Sequence, residues 1–579
     1  MIKRLLPFLK GYRKQAVLAP LSVAIETVCE LILPLLMAAI IDEGIQKGDM
    51  TAILRNGGLM LAVSLLSLAG GVLAARYAAE AAQGLGANMR QAEFEKINTF
   101  SFAGIDRFSS ASLITRMTND VTNIQLVVSI CLRMLVRSAV MMIVAIIVAL
   151  TISVRLAVYV LVILPVLIVV LSILMKVCWP LFRTMQKKID ALNQVIQENL
   201  VAIRVVKAFV RQPYEKQKFK TANDEFTQAG LNAVMKMLLM APALMIGVNV
   251  ATVLILYNGG NMVLRGELEV GQLSSIITYI FNILFSVMMV GMALLQLTRA
   301  RACADRIFEV LDTEPSIEDG KSAAEPADVK GLVEFRNVSF KYQAAGTGDD
   351  VLRDISFTAK PGQTVAIVGG TGVGKSTLVN LIPRFYDVTG GEILLDGRDV
   401  RDYALDDLRG RIGMVLQNNI LFSGTIRENL LWGNPDATEE EIIQAAKDAQ
   451  AYDFIMSFPD GLDTHIDQGG VNVSGGQKQR LCIARAMLRR PEVLILDDST
   501  SAVDSTTEAL IRQSFHDNLK DTTVLLIAQR ISSVRDADRI IVLEDDTISA
   551  MGTHDELMET SSVYQEIYYS QQEGVKDNG

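Results

Sequence analysis

The chain reads Gly369-Gly370-Thr371-Gly372-Val373-Gly374-Lys375-Ser376 directly after an apolar run at residues 364–368. This stretch fits the pattern G-x-x-x-x-G-K-[ST], and a strand before it and a helix after it form the setting of a phosphate-binding loop. Its glycines allow backbone N–H groups to approach phosphate oxygens, and the start of the following helix adds a favourable dipole. Lys375 supplies a cation for the β- and γ-phosphates, and Ser376 can place its hydroxyl on Mg²⁺. We therefore predict that this loop, extended by Thr377, binds ATP with Mg²⁺.

A second apolar run, Val493-Leu494-Ile495-Leu496-Asp497, reads as a buried strand that ends in an aspartate. In proteins with such a loop, an aspartate at the end of a strand holds the Mg²⁺ ion together with the serine of the loop. The next residue, Asp498, stands where a general base would sit, and Gln529 follows another apolar strand at residues 523–528.

Composition indicates a membrane protein with more than one domain. The chain has 579 residues, of which 50% are hydrophobic and 6% aromatic, and its mean hydropathy is +0.32. This length exceeds what one hydrophobic core serves, so at least two domains are expected. The net charge of -9 gives no support for nucleic-acid binding. The five cysteines are widely spaced and predict neither a disulfide framework nor a metal site.

Six segments are long and apolar enough to cross about 30 Å of hydrocarbon. They lie near residues 16–41, 57–77, 128–152, 157–177, 237–257 and 273–297. Lys and Arg are frequent before the first span, in the long second and fourth connections, and after the sixth span. The positive-inside rule therefore places both termini in the cytoplasm of a multi-pass protein, which we assign to the bacterial plasma membrane. The two long connections keep helical periodicity, so the helices are expected to continue into the cytoplasm.

Residues 313–330 are polar with two prolines, which is the composition of a linker. From residue 331 onward short β-rich runs alternate with helical patterns, and this alternation predicts an α/β domain with a mixed sheet. The sequence thus predicts a polytopic α-helical membrane domain in residues 1–312. The linker fuses it to a P-loop α/β domain in residues 331–579.

A further glycine motif, Ser474-Gly475-Gly476-Gln477, opens a helix rich in Arg and Ala. The serine can cap this helix, and the glycines permit a phosphate to approach its first turn. Together with the phosphate-binding loop, the motif resembles the signature of the ATP-binding cassette (ABC) family. Essentially the whole chain resembles an ABC exporter half-transporter, in which six membrane helices are fused to one nucleotide-binding domain.

The resemblance implies further site residues. Tyr342 matches the aromatic residue that stacks on adenine, and Gln417 matches the glutamine that senses Mg²⁺ and the membrane domain. Asp504, in Ser501-Ala502-Val503-Asp504, matches the segment across the dimer interface. Residues 115–121 resemble the first intracellular coupling region, and residues 198–209 resemble the stretch that leads to the second intracellular coupling helix. Two such chains would close head to tail around two ATP molecules, each held between one P-loop and the other chain's signature.

Two catalytic positions depart from the family pattern. Asp498 replaces a glutamate base, and its shorter side chain withdraws the carboxylate by roughly an ångström, a misplacement that can cost about 100-fold in rate. Gln529 replaces a histidine and cannot carry its positive charge. Residues 467–470 are also altered, whereas the signature at Ser474 is intact. We therefore expect a slow ATP site on this chain and a competent site completed for a different partner half-transporter.

Alternatives remain open for assembly and function. In a homodimer, Asp498 would simply be a slower base. The expected cargo is an amphipathic drug or a lipid moved outward, but an exporter-shaped importer, for example of a metal–siderophore complex, would run in the opposite direction. A regulatory ATPase or channel is a further class, and ion conductance would favour it.

Charged residues inside the predicted spans suggest a substrate cavity. Glu26 and Glu30 lie mid-span, four positions apart and hence on one helix face. Carboxylates in hydrocarbon usually face a cavity or a partner, so the pair either favours cationic substrates or forms hydrogen bonds between helices. Arg133 and Arg137 of the third span lie about 10 Å from the pair by depth counting at 1.5 Å per residue. We therefore predict that these arginines contact lipid headgroups or snorkel toward the membrane surface instead.

Overall fold

The computed structural model describes residues 2–320, 331–342, 350–499 and 503–576. Contacts divide the chain into two compact units. The first, here the helical unit, comprises Met1–Glu95 and Leu113–Asp312, and the second, here the α/β unit, comprises Lys96–Ser112 and Thr313–Gly579. The sequence-based division at residues 1–312, 313–330 and 331–579 stays a prediction, and residues 321–330 of its linker lie outside the described residues.

Long helices dominate the first part of the chain. They are α1 Ile2–Leu5, α2 Arg13–Ala39, α3 Met50–Asn98, α4 Phe102–Arg107, α5 Ser110–Thr115, α6 Val121–Ile130, α7 Val136–Ile152, α8 Val154–Val201, α9 Ile203–Ala208, α10 Gln212–Leu238, α11 Met240–Leu264 and α12 Val270–Asp312. A π-helical turn at Ile40–Ile45 extends α2, and two more, at Arg116–Asp120 and Cys131–Leu135, join α5, α6 and α7 into one helix.

Six helical stretches within the described residues are long and apolar enough to cross a membrane. They are Arg13–Ile45, Met50–Asn98, Ser110–Ile152, Val154–Val201, Gln212–Leu264 and Val270–Asp312. Each stretch contains one of the predicted spans. Five of them have 43 to 53 residues, about twice the length that crosses the hydrocarbon. The predicted long helical extensions therefore agree with the lengths of these helices.

Buried polar contacts tie α2 to α12 within the helical unit. The Asp42 carboxylate accepts hydrogen bonds from the N–H groups of Gly271 (2.6 Å) and Gln272 (3.2 Å) at the start of α12. These are N–H groups that a helix start leaves without an internal partner. Tyr279, which is fully buried, donates its hydroxyl to the Leu31 carbonyl at 2.7 Å. These bonds fix the two helices side by side.

The α/β unit contains the strands. They are β1 Val333–Phe340, β2 Leu352–Ala359, β3 Thr364–Gly369, β4 Gly390–Leu395, β5 Arg398–Asp399, β6 Ile412–Val415, β7 Gly424–Thr425, β8 His465–Ile466, β9 Val493–Asp497, β10 Thr523–Ile527, β11 Arg539–Glu544 and β12 Thr547–Gly552. The helices between and after them are α13 Lys375–Asn380, α14 Leu405–Gly410, α15 Ile426–Leu431, α16 Glu439–Asp448, α17 Tyr452–Ser457, α18 Gly475–Leu488, α19 Ser505–Asn518, α20 His554–Thr560 and α21 Ser562–Lys576.

The strands of the described part of the chain form a mixed central sheet and smaller antiparallel sheets. The central sheet has the order β12-β11-β3-β10-β9-β6, and its strands from β11 to β6 are parallel. Every residue of β9 and β10 is buried, as expected for parallel strands covered on both faces. The antiparallel sheets have the orders β2-β1-β4-β5 and β7-β8. This architecture confirms the predicted fold class, six candidate membrane helices followed by an α/β domain.

The segment Lys96–Ser112 places the short helix α4 in the α/β unit. Phe102 stacks on Phe385 with ring centroids 4.3 Å apart. The hydroxyl of Tyr386 donates to an oxygen of Asp106 at 2.7 Å. This segment therefore shares an aromatic and polar cluster with residues almost three hundred positions later.

Residues 115–121, which resemble the first coupling region, lie outside that segment and bond to α12. Arg306 binds both carboxylate oxygens of the buried Asp120, at 2.8 and 2.5 Å. Arg116 donates to Glu309 at 3.0 Å. The match to the first coupling region thus falls on residues that are ion-paired inside the helical unit.

Candidate functional site

Neighbouring parallel strands bring the predicted phosphate-binding and catalytic residues to one edge of the central sheet. β3 ends at Gly369 and β9 ends at Asp497. Gln417 lies two residues after β6, and Gln529 lies two residues after β10. Because β3, β10, β9 and β6 are adjacent and parallel, all of these residues emerge at the same edge. Ligands of open α/β sheets bind outside the carboxyl ends of the strands.

The phosphate-binding loop requires glycine at two positions. Gly369 has a φ of 154°, and a Cβ atom there would lie 2.4 Å from the carbonyl oxygen of Leu543. Gly374 has a φ of 90°, and a Cβ atom there would lie 2.8 Å from the carbonyl oxygen of Val351. Both values lie in the left-handed region, which residues other than glycine rarely adopt. The loop therefore keeps its backbone close to the sheet edge.

Lys375 folds back over its own loop. Its Nζ donates to the carbonyl oxygens of Gly369 at 2.9 Å and Gly370 at 2.6 Å. Thr371, Gly372 and Val373 complete the loop between these carbonyls and the start of α13. Burial lowers the pKa of the Lys375 ammonium. Phosphate oxygens would be stronger partners for this cation than neutral carbonyls, since hydrogen bonds between ionised groups are the stronger ones.

Ser376 and Asp497 form the metal end of the candidate site. The Ser376 hydroxyl donates to Asp497 Oδ1 at 3.1 Å, and Asp497 is only 4% exposed. Burial raises the pKa of this carboxyl. Hydroxyl and carboxylate oxygens are the ligands that Mg²⁺ prefers, and the exposed amide of Gln417 adds a further oxygen at the same edge. The residues present therefore fit a Mg²⁺ ion.

Asp498 and Gln529, the two departures from the family pattern, are bonded to each other. Gln529 Nε2 donates to Asp498 Oδ2 at 2.8 Å. The Asp498 N–H donates to the Ile527 carbonyl at 3.0 Å, and its φ of 47° is left-handed. Asp tolerates this conformation better than most residues do. Burial raises the pKa of Asp498. Sequence reasoning predicted both residues as site residues but did not predict this bond.

Tyr342, the predicted adenine-stacking residue, is fixed by aromatic edges. Its ring meets Phe340 at 4.9 Å and Tyr386 at 5.2 Å, both nearly perpendicular. Its hydroxyl shares a hydrogen bond of 3.0 Å with Thr377 Oγ1, which follows Ser376 in the phosphate-binding loop. Tyr386, whose pKa is raised by burial, was missed by sequence reasoning. Its contacts with Tyr342 and Asp106 mark it as part of the site.

The signature motif forms a capped helix start. The Ser474 hydroxyl accepts from the Gln477 N–H at 3.3 Å, and the Gln477 side chain accepts from the Ser474 N–H at 2.9 Å. Gly475 and Gly476 form the first turn of α18, which has 14 residues. Such a helix start is suited to bind a phosphate group, because its N–H groups and dipole favour negative charge.

Asp504 caps the helix α19. Its carboxylate accepts from the N–H of Thr507 at 2.9 Å and from its hydroxyl at 2.8 Å. The backbone hydrogen bond from Thr507 lowers the pKa of Asp504. Ser501 and Ala502 of the same motif lie outside the described residues.

Comparison with known proteins bears on the family of the chain. The family model "ABC transporter transmembrane region" matches residues 17–288, and the model "ABC transporter" matches residues 352–501. A Bacillus subtilis (strain 168) protein named "Uncharacterized ABC transporter ATP-binding protein" is 40% identical over 570 residues, 98% of each chain. The chain belongs to the ABC transporters. More narrowly, it is a half-transporter of the ABC exporter type, with a membrane domain and an ATP-hydrolysing domain.

Two further relatives of this ABC transporter have functional names. "Putative multidrug export ATP-binding/permease protein" of Bacillus subtilis (strain 168) is 34% identical over 574 residues, 98% of this chain and 99% of its own. "Fatty acid ABC transporter ATP-binding/permease protein" of Mycobacterium bovis (strain ATCC BAA-935 / AF2122/97) is 36% identical over 475 residues, 82% of this chain and 74% of its own.

One arginine pairs with the two carboxylates predicted to lie in the first span of this ABC transporter. Arg137 lies 2.6 Å from Glu26 and 2.5 Å from Glu30, measured between nitrogen and oxygen atoms. The prediction that Arg137 contacts headgroups instead was therefore wrong. Depth counting along separate spans does not give their relative offset, and the π-helical turn at Cys131–Leu135 changes the helix register just before Arg137. The predicted headgroup contact of Arg133 stays a prediction.

Proposed function

We propose that this chain is one subunit of a heterodimeric ABC exporter, in which its own P-loop forms a slow ATP site. The observation that carries the proposal is the 2.8 Å hydrogen bond from Gln529 to Asp498. Asp498 occupies the position of the general base, and one of its carboxylate oxygens accepts a hydrogen bond from Gln529. Gln529 occupies the position where the family has a titratable histidine.

Chemistry supports a slow site. Phosphoryl transfer is catalysed mainly by positioning and electrostatics, and a water molecule must be held in line with the terminal phosphate. The Asp498 side chain is short for this task. Its backbone is left-handed, and its carboxylate is hydrogen-bonded to Gln529. Gln529 cannot supply a positive charge to the transition state. Both changes affect catalysis and leave the binding elements for ATP in place.

Nucleotide binding by this chain uses the residues at the sheet edge. Tyr342 would support the base, and Gly369 to Thr377 would surround the phosphates. A Mg²⁺ ion held by Ser376, Asp497 and Gln417 would neutralise phosphate charge. Ser474, Gly475, Gly476 and Gln477, with Asp504 at the interface, would complete the ATP site on the partner half-transporter. Closure of the two domains around ATP is expected to switch the membrane helices outward.

The proposed cargo is an amphipathic drug or lipid. The names of two relatives, a multidrug export protein and a fatty acid transporter, support this class. Glu26 and Glu30 share one arginine, Arg137, so two carboxylates face one cation. A cationic amphipathic molecule could supply a second positive charge. The Lys and Arg bias of the connections supports a cytoplasmic position for both termini and the nucleotide-binding domain.

Removal of the Asp498 carboxylate should matter little. Asp498→Asn is expected to lower steady-state ATP turnover of the heterodimer severalfold at most, because hydrolysis takes place mainly at the partner's site. The matched control is the partner's catalytic glutamate changed to glutamine, which should abolish turnover. If Asp498→Asn abolishes turnover as completely as that control, the asymmetric mechanism is wrong and a homodimer with Asp498 as base is favoured.

Transport direction and cargo charge can be tested together in inside-out vesicles. ATP added outside should drive uptake of a fluorescent lipophilic cation. The double variant Glu26→Gln and Glu30→Gln should lower the uptake rate of this cation several-fold and change the uptake rate of a neutral amphipathic probe much less. The reason is that carboxylates in a low-dielectric site favour positive charge. If the double variant changes the uptake rates of both probes equally, these residues do not favour cationic substrates. Uptake only in right-side-out vesicles loaded with internal ATP would instead indicate an importer.

A further inference from the structure

The C-terminal helix α21 holds the loop that carries Gln529. We call residues 528–531 the switch loop. The side chain of Gln571 in α21 accepts from the Ile531 N–H at 2.8 Å and donates to the Gln529 carbonyl oxygen at 2.7 Å. These partners lie 40 and 42 positions away in the chain. One side-chain amide thus binds the backbone on both sides of Arg530.

Packing fixes the position of Gln571. Tyr564 of the same helix is fully buried, and its hydroxyl lies 2.8 Å from Nδ1 of His554. Ile567 and Tyr568 pack against the same hydrophobic core. Positions 564, 567, 568 and 571 follow the spacing of one helix face. The buried face of α21 therefore presents Gln571 to the switch loop from a rigid support.

A short chain of bonds leads from α21 to the ATP site. Gln571 holds the backbone of Gln529, and the Gln529 side chain donates to Asp498 at 2.8 Å. Asp498 follows Asp497, which accepts from Ser376 of the phosphate-binding loop. A shift of the switch loop would therefore move the Gln529 amide relative to the phosphate end of the site.

We propose that Gln571 is a positioning residue that keeps the switch loop, and hence the Gln529 amide, on Asp498. Through this contact α21 determines how long a nucleotide stays in the site formed by this chain's P-loop. The inference rests on the proposed slow site, where a bound nucleotide is retained rather than hydrolysed.

Nucleotide dissociation tests this proposal directly. The probe is a fluorescent ATP analogue with Mg²⁺, bound to the full heterodimer in which the partner's own P-loop lysine is changed to alanine. Gln571→Ala should accelerate dissociation of the probe from this chain's P-loop by roughly tenfold, an effect about the size of one ordinary hydrogen bond, because the switch loop is no longer held in place. The matched control is Gln565→Ala in the same helix, which removes a 2.7 Å bond to the Met558 carbonyl and should leave the rate unchanged.

A double-mutant cycle separates positioning from general support of the fold. In a Gln529→Ala background, Gln571→Ala should add little further acceleration, because the side chain that it positions is already absent. The same tenfold effect in both backgrounds, or the same effect from Gln565→Ala, would show that α21 only stabilises the domain. An unchanged rate in Gln571→Ala would also overturn the proposal.

A conservative variant covers the case in which Gln571→Ala does not fold. Gln571→Glu keeps an acceptor for the Ile531 N–H but sets a carboxylate oxygen against the Gln529 carbonyl in place of the donor, so it should also accelerate dissociation. A wild-type rate for Gln571→Glu would contradict the role of the donor. Because this readout is dissociation, it is independent of the turnover of Asp498→Asn, which tests the slow site itself.

Discussion

Ser474→Tyr is expected to lower steady-state ATP turnover of the heterodimer by about 100-fold or more, with an unaltered partner and saturating Mg-ATP. Ser474 stands at the exposed start of α18, where a helix N-terminus can bind a phosphate. A tyrosine ring would occupy the space that the terminal phosphate of the partner-bound ATP requires. The loss should appear in the catalytic rate, because in the proposed heterodimer this motif completes the partner's ATP site.

A matched variant removes a helix cap without touching the signature. Thr438→Tyr breaks the same kind of capping box at the start of α16, where Thr438 and Glu441 bond each other's backbone. Such a cap stabilises a helix by about 1 kcal/mol, so this variant should lose some stability and keep most of its turnover. Comparable losses of turnover in the two variants would mean that Ser474 acts through helix stability rather than through ATP.

Replacing Asp498 and Gln529 by the residues of the family pattern should create a catalytic site. In a heterodimer whose partner lacks its catalytic glutamate, Asp498→Glu combined with Gln529→His is expected to raise the remaining ATP turnover by about 100-fold. The longer side chain moves a carboxylate toward the attacking water, and the histidine can carry positive charge. Each single change should give much less, since the Gln529 amide is bonded to Asp498 and the two positions act together.

Backbone conformation could limit this gain. Residue 498 has a φ of 47°, a conformation that glutamate adopts less readily than aspartate. Thermal unfolding of Asp498→Glu alone reports this strain separately from catalysis. If the double variant is stable and still as slow as the wild type, the slow site has a cause other than these two residues, and the proposed explanation fails.

Local patterns predicted the strand before and the helix after the loop Gly369–Ser376, because its glycines, lysine and serine are contiguous and their backbone conformation is set within eight residues. The parallel strands around it were readable for a similar reason: β9 and β10 are short apolar runs, as fully buried strands must be. The six candidate membrane spans of the described residues followed from length and hydropathy alone. For each of these features the decisive information lies within one short window of sequence.

Contacts between distant segments could not be predicted in this way. The bond between Gln529 and Asp498 joins residues 31 positions apart, and the pairing of Arg137 with Glu26 joins residues 111 positions apart. Periodicity shows which face of a helix is polar, but it does not give the offset between two helices. For this reason Arg137 was assigned to the membrane surface, and Tyr386 and Gln571 were not recognised at all.

The position of Lys96–Ser112 in the α/β unit has a consequence for how the protein is made. Asp106 and its partner Tyr386 are 280 positions apart, so about 15 to 60 s of synthesis separate them at about 5–20 residues per second. During that time Phe385 does not yet exist to stack on Phe102, and helices α5 to α12 must be made. The later domain therefore makes these contacts with a segment that was synthesised long before it. Truncated or separately expressed versions that begin after residue 312 should expose the aromatic surface of Phe385 and Tyr386.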